Sequence, residues 1–390
     1  MYTAITQKRV VANHNPLVNA NINRNNFDIL RLALALLVMV SHCFVIYYGK
    51  SIDTEPGMIL TRNQTDIGSI AVNCFFIISG FLILKSFDNS SSTIDYLKRR
   101  ALRILPAFFV AFLISLLLVG PLGTIDREHL FGQWKTYYTS IDKRQVLTDL
   151  IMLKAPHVPE CLAKVHIAGR VNSSLWTIQY EFVCYLLLPL LAFCRLLQNR
   201  IVVLGLFLAA YITLVLQEHA NMFLFELEHD NVFSDYIKLT YLPRFFAYFL
   251  SGSCFYLYRD VIPRKRILFI LSIIAIAVSC FWVKGINLTF PIAGSYLLNY
   301  VAFHPNASFP NFARNGDFSY GVYLYAWPIQ QLLMYFLHGY LNVFTLFCLV
   351  LPIVFFAAYL SWHYIEKPFL SLKKRRQQNV SVSTKNIILN

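Results

Sequence analysis

An arginine and a histidine lie eleven residues apart in an apolar stretch near the start of the chain, RLALALLVMVSH, as Arg31 and His42. In an α-helix this spacing covers about 16 Å and close to three turns, so both side chains share one face with Asp28. Ionisable groups are costly inside a bilayer and usually face the protein interior. The spacing predicts an Asp28–Arg31 pair at the mouth of a membrane helix, with His42 deeper inside. The alternative is that Arg31 only anchors the helix end and His42 only packs.

A second acidic group in an apolar stretch is Glu181, in SLWTIQYEFVCYLLLP. Counted along the helices, His42 lies about 21 Å from one membrane edge and Glu181 about 10 Å from the other. In a hydrocarbon core of about 30 Å the two groups are nearly level. A carboxylate beside an imidazole orients the ring and stabilises its charged form, which suits proton transfer. We therefore predict Glu181 and His42 as a catalytic pair, with a structural ion pair as the alternative.

Basic residues cluster in DYLKRRALRILP, where we expect the third membrane helix to begin. Guanidinium groups at a helix N-terminus bind phosphate well, so Arg99, Arg100 and Arg103 are candidates for binding a phosphorylated ligand. Ordinary positive charge of a cytoplasmic loop is the competing explanation.

Three further candidates stand alone in the sequence. Ser79, before Gly80 in NCFFIISGF, is either a nucleophile or part of a close helix contact, and packing is favoured because no basic partner is near in sequence. Arg244 in YLPRFFAYFLSG is either an anchor or a contact for an acceptor substrate. Glu366 in YIEKPF lies where it can pair with the basic cluster.

The elements that must position these residues are apolar helices. The 390 residues are 57% hydrophobic and 14% charged, whereas soluble domains carry roughly 25% charged residues. This composition predicts an all-α polytopic integral membrane protein. We predict about ten transmembrane helices, at 28–48, 67–87, 104–123, 175–194, 201–216, 240–258, 266–283, 286–304, 319–338 and 343–365.

Lysine and arginine are concentrated in alternate connections between these spans, which predicts that both termini are cytoplasmic. The net charge of +14 then reflects topology, and nucleic-acid binding is disfavoured. We divide the chain into a polar cytoplasmic segment (1–26), a transmembrane domain (27–370) and a basic cytoplasmic tail (371–390). The longest connection, at about 124–174, is predicted to be external and long enough to cap a site. The eight cysteines form no CxxC pair, and we expect neither disulfides nor a metal site.

Taken in their order along the chain, these fragments resemble the membrane-bound acyltransferase-3 family, bacterial O-acyltransferases of surface polysaccharides such as O-antigen and exopolysaccharide. The resemblance covers about 27–370. It is carried by the spacing from Arg31 to His42, by FFIISG at 75–80, by the RxxR element from Arg100 to Arg103, by the helix containing Trp176 and Glu181, and by the terminal IEKP.

The resemblance implies transfer of an acyl group, most often acetyl, from cytoplasmic acetyl-CoA or another acyl-CoA such as succinyl-CoA to a hydroxyl of a glycan or lipid-linked oligosaccharide. It places the protein in the cell inner membrane and involves no metal. His42 would be the catalytic base or a transient acyl carrier, and Arg31, Arg100 and Arg103 would bind the phosphates of the coenzyme. Glu366 would be a further functional position.

The chain departs from the family pattern in the ninth helix, SYGVYLYAWPIQQ, where Ala326 replaces a histidine that many members have. This leaves His42 as the single histidine of these motifs, with Tyr323 as a further candidate in that helix. Two other functions stay open. One is an acyl-group channel that feeds a separate external transferase, and the other is a transporter or flippase, against which the absence of an inverted repeat argues.

Overall fold

The computed structural model describes residues 25–49, 52–125, 133–159, 161–219, 237–304, 309 and 312–372. Nearly all of the predicted N-terminal segment and basic tail lies outside the described residues. Within them all regular structure is helical, which confirms the all-α prediction. The ten long helices in this part of the chain are α1 (Phe27–Tyr48), α2 (Ile67–Asp88), α3 (Thr93–Ile114), α4 (Trp176–Phe193), α5 (Arg200–His219), α6 (Leu242–Leu257), α7 (Arg266–Ser279), α8 (Gly285–Ala302), α9 (Ser319–Leu337) and α10 (Val343–Ser361).

Six helical stretches are both long and apolar enough to cross a bilayer. They comprise α1, α2, α4 and α5 together with α3 continued to Leu122 and α10 continued to Leu372. The remaining four long helices are shorter or more polar. The fold is therefore that of a helical membrane protein, and ten crossings remain a prediction.

The third helix begins earlier than the hydropathy pattern predicts. Ser92 caps it by accepting a hydrogen bond from the Asp95 N–H at 3.1 Å, so α3 starts eleven residues before the predicted position 104. Hydropathy detects only the apolar part of a helix, whereas the lysine, arginine and leucine residues that precede it are good helix formers. The basic cluster consequently lies inside α3, between one and a half and three turns from its start, and not at its N-terminus.

The central helix pair is α2 against α6, and it depends on two glycines. A Cβ on Gly80 would overlap the carbonyl of Phe249, and one on Gly252 would overlap the carbonyl of Ile77. Small residues allow this close backbone approach inside membranes. The predicted packing role of the Ser79–Gly80 step is confirmed at Gly80.

Several helix ends meet at one end of the bundle. Asp317, just before α9, forms ion pairs with Arg31 of α1 at 3.0 Å and with Arg103 of α3. The carboxylate of Glu366, beyond the end of α10, interacts electrostatically with Arg103. The start of α1 and the end of α10 thus lie at the same end of the bundle.

The connection between α3 and α4 packs over α9 at the opposite end. It contains two short helices, Trp134–Ser140 and Lys143–Ile151. The indole N–H of Trp327 donates to the Arg170 carbonyl at 2.7 Å, and the Gln331 amide donates to the Ile167 carbonyl at 3.0 Å. These bonds hold the connection against the helices that carry the candidate site.

Candidate active site

Most of the polar candidates line one or other of two cavities between the helices. The arginine chamber, of about 120 Å³, is lined by Arg31, Arg100 and Arg103 together with Ser79, Glu181 and apolar side chains. The histidine chamber, of about 500 Å³, is lined by His42, Asp66, Trp176 and Arg244 and by the connection before α4. Val72 and Tyr323 border both cavities.

Asp317 holds two arginines at the wall of the arginine chamber. Its carboxylate pairs with Arg31 and Arg103 and accepts a hydrogen bond from the Ser319 hydroxyl at 2.5 Å. Burial alone would raise the pKa of Asp317, but the two guanidinium groups and the Ser319 hydroxyl hold that pKa well below its usual range. The predicted Asp28–Arg31 pair is also present, at the exposed side of Arg31.

The three arginines of the α3 cluster make different contacts. Arg100 donates to the Ser86 hydroxyl at 2.9 Å, and its buried Nε has no hydrogen-bond partner among the described residues. Arg99 instead turns to Asp95 on its own helix, with Nε 3.0 Å from Oδ1, an ordinary i,i+4 pairing. Arg99 does not line the chamber, so the structure brings together only Arg31, Arg100 and Arg103 of the predicted phosphate ligands.

Glu181 belongs to the arginine chamber and not to the surroundings of His42. Its Oε1 accepts hydrogen bonds from the Ser79 hydroxyl at 3.2 Å and from the Tyr185 hydroxyl. Among the described residues no hydrogen bond or ion pair joins Glu181 to His42, and the two line different cavities. The depths of His42 and Glu181, counted along their own helices, do not determine how far apart the two groups lie in the plane of the membrane. Tyr323 can lie between them although both are at the same depth. The geometry therefore does not support the predicted contact.

His42 stands in the histidine chamber on the same face of α1 as Arg31, as its spacing predicts. The imidazole meets the Trp327 indole edge to face, with ring centroids 4.7 Å apart. Its Nδ1 is buried without a hydrogen-bond partner among the described residues. The acid in this chamber is Asp66, which caps α2 by accepting from the Ser69 N–H at 2.7 Å. The capping position of an aspartate before an apolar run is the sequence signal that could have identified it.

The far wall of the histidine chamber combines a cation with aromatic rings. Arg244 donates from Nε to the Asn73 side-chain oxygen at 2.9 Å, which fixes its guanidinium beside α2. Trp176 packs against Tyr241 with ring centroids 5.1 Å apart. The segment 169–173 also lines this chamber, and the capping role of the connection stays a prediction.

Glu366 lies behind the arginine chamber. It is buried, its Oε1 accepts from the Ser361 hydroxyl at 3.1 Å, and its Oε2 has no hydrogen-bond partner among the described residues. Among the described residues no ion pair joins Glu366 to Arg99 or Arg103, so its pairing with the basic cluster stays a prediction.

No group of three metal-ligating side chains occurs in the part of the chain that the structure describes. All eight cysteines are free thiols, five of them buried.

Comparison with known proteins gives consistent matches. A family model described as an acyltransferase domain matches residues 24–363. A protein named O-acetyl transferase from Shigella phage Sf6 is 30% identical, over 89% of this chain and 96% of its own length. Nodulation protein 10 from Rhizobium leguminosarum bv. viciae is 28% identical, over 90% of this chain and 94% of its own length. No solved structure gives a significant match.

Proposed function

Because the chain belongs to this acyltransferase family, we propose that it transfers an acyl group, principally acetyl, from acyl-CoA to a hydroxyl of a cell-surface or lipid-linked glycan. The phage relative named O-acetyl transferase supports the acetyl group. The observation that carries the proposal is the placement of three arginines in one cavity, which shares Val72 and Tyr323 with the cavity that contains His42.

The arginine chamber suits the anionic donor. Arg31, Arg100 and Arg103 face one carboxylate, Glu181, along its wall, and guanidinium groups form strong paired hydrogen bonds with phosphate. A volume of about 120 Å³ is smaller than the roughly 300–1,000 Å³ of sites for whole drug-sized ligands. In this conformation the chamber therefore accepts the narrow thioester arm, while the phosphates stay at the arginines near its mouth.

We propose that the arginine end of the bundle faces the cytoplasm and that the protein lies in the inner membrane. The positive-inside rule supports this orientation, and it places the chamber where acyl-CoA is available. The histidine chamber then faces the opposite side, from which a glycan acceptor reaches it.

In the proposed reaction His42 is the general base. The imidazole takes the proton of the acceptor hydroxyl, the oxygen attacks the thioester carbonyl, and the C–S bond breaks as the ester C–O bond forms. The imidazolium then returns the proton to the departing thiolate. The unpartnered Nδ1 leaves the ring free of a competing hydrogen bond at that atom. Glu181 is a positioning residue that orders Ser79 and Tyr185 beside the donor.

The acceptor would occupy the wall formed by Arg244, Trp176 and Tyr241. Aromatic faces pack against the apolar faces of sugar rings, and a guanidinium group donates hydrogen bonds to their hydroxyl oxygens. Asn73 fixes the direction of Arg244, so the cation is ordered before the acceptor arrives.

The decisive experiment reconstitutes the purified protein with labelled acetyl-CoA and a lipid-linked oligosaccharide. Label on the glycan without any other protein supports the transferase. Label that crosses the membrane without reaching the glycan supports a channel, and movement of the oligosaccharide alone supports a flippase. Either of the last two results would contradict the proposal.

A matched pair of variants tests the donor site. Arg103→Ala removes a charge-assisted phosphate contact worth about 1.5–3 kcal/mol, so KM for acetyl-CoA should rise roughly 10–150-fold. Arg99→Ala, one turn away and outside the chamber, should leave KM near the wild-type value. Equal effects of the two variants would contradict the assignment of the chamber.

A further inference from the structure

The partition between the two chambers consists of a few buried side chains from three helices. Val72 of α2 and Tyr323 of α9 line both cavities. The Tyr323 hydroxyl is 2.6 Å from the Thr177 hydroxyl at the start of α4, in a hydrogen bond buried in the interior. The Phe75 ring meets the Tyr323 ring with centroids 6.0 Å apart, from the side of the arginine chamber.

The donor has to pass this partition. Arg31 and His42 are separated by about 16 Å along α1, and the partition lies between the cavities that contain them. The acyl end of the thioester enters the partition first, because the phosphates are held at the arginines. It therefore meets Val72 and Tyr323 before it reaches His42.

We infer that Val72, Thr177 and Tyr323 form a constriction that selects the acyl group by its width, which makes Val72 and Tyr323 specificity-determining residues. The inference rests on the proposed function. A linear acyl chain has the same cross-section as the thioester arm of the coenzyme behind it. The constriction therefore does not select among linear acyl groups by their length. A chain that branches beside the carbonyl is wider and has to displace the Tyr323 ring from its bond with Thr177.

In this proposal the hydrogen bond between Tyr323 and Thr177 determines how easily the constriction widens. Tyr323→Phe and Thr177→Val each remove one half of the same bond and keep most of the side-chain volume. Both variants should admit branched acyl groups more readily, and the double variant should add little to either single variant because the bond is already lost.

The test compares n-butyryl-CoA with isobutyryl-CoA, which have the same atoms and differ in width. For Val72→Ala, kcat/KM with isobutyryl-CoA relative to n-butyryl-CoA should rise about tenfold or more, the usual effect of one or two methyl groups in a tight pocket. Val45→Ala is the matched control, because Val45 lines only the histidine chamber. It should leave the ratio unchanged.

An unchanged ratio in Val72→Ala would overturn the inference, as would an equal change in Val45→Ala. Failure of wild-type protein to transfer acetyl would instead overturn the proposed function. In that case the selectivity is measured from dissociation constants of the two butyryl thioesters with purified protein. Val72→Ala should again favour the branched thioester, and no change would overturn the inference there as well.

Discussion

Replacement of Asp317 by asparagine removes the carboxylate that joins Arg31 and Arg103. The shape of the side chain is kept, and the amide oxygen can still accept from the Ser319 hydroxyl, 2.5 Å away in the wild type. The lost feature is the negative charge between two guanidinium groups. Asp317→Asn therefore measures the contribution of the two ion pairs to stability without removing the hydrogen bond at the start of α9.

The expected loss follows from burial. The Asp317 side chain is 8% exposed, and those of Arg31 and Arg103 are 23% and 21% exposed. Breaking a buried pair by removal of one partner costs about 3–5 kcal/mol. Since both arginines keep some contact with water, we take the lower limit of about 3 kcal/mol, close to a 150-fold change in the unfolding equilibrium constant.

The assay is equilibrium unfolding of purified protein in mixed micelles, followed by tryptophan fluorescence. Asp28→Asn is the control, because Asp28 also pairs with Arg31 but is 43% exposed. That variant should lose under about 1 kcal/mol. The native pKa of Asp317 lies below its unfolded value, so its contribution is present above the unfolded pKa and lost as pH falls through the native pKa. Between about pH 5 and 8 the difference from wild type should be constant.

Two results would refute this reasoning. One is a loss for Asp317→Asn no larger than that for Asp28→Asn. The other is a difference from wild type that changes steeply between neutral pH and pH 6, because no titration of Asp317 is expected there.

Three other predictions concern topology, the external connection and packing. With an impermeant maleimide, a cysteine introduced at Thr139 should react in intact cells, and one introduced at Ser371 should react only after permeabilisation, both positions being exposed; labelling of both in intact cells would contradict the orientation. Burial raises the pKa of Cys161 to about 11, so its maleimide labelling should stay slow from pH 7 to 9 and increase on unfolding; fast labelling of folded protein would show that this thiol is accessible. Gly80→Ala should destabilise the protein by about 1–3 kcal/mol through backbone overlap, whereas Gly205→Ala, with open space around it, should be neutral or stabilising in the same unfolding assay.

The sequence predicts those features that follow from helical periodicity. The apolar runs locate the long helices, and the spacing from Arg31 to His42 correctly places both side chains toward the bundle interior. The Asp28–Arg31 pair is three residues apart on one helix, and it forms. Interactions within one helix are local, so the 3.6-residue period is enough to predict them.

The acidic partners could not be predicted in the same way. Asp66 and Asp317 precede helices and lie outside the apolar windows, although each accepts a hydrogen bond from the start of its helix. The hydropathy pattern also does not show which arginine of the α3 cluster faces the cavity. The cap at Ser92 starts α3 three turns earlier than predicted and places the cluster inside the helix. The separation of Glu181 from His42 depends on α9, which supplies Tyr323 from more than 140 residues away in sequence.

The most direct test measures acetyl transfer and acetyl-CoA binding for His42→Ala in one purified preparation. His42 lines the histidine chamber and the three arginines line the other. Transfer to the glycan should fall by about 10²–10⁴, the usual contribution of a general base, while the dissociation constant for acetyl-CoA stays within about twofold of wild type. Near-normal transfer by His42→Ala would contradict the central claim, and so would a loss of donor binding as large as that of Arg103→Ala.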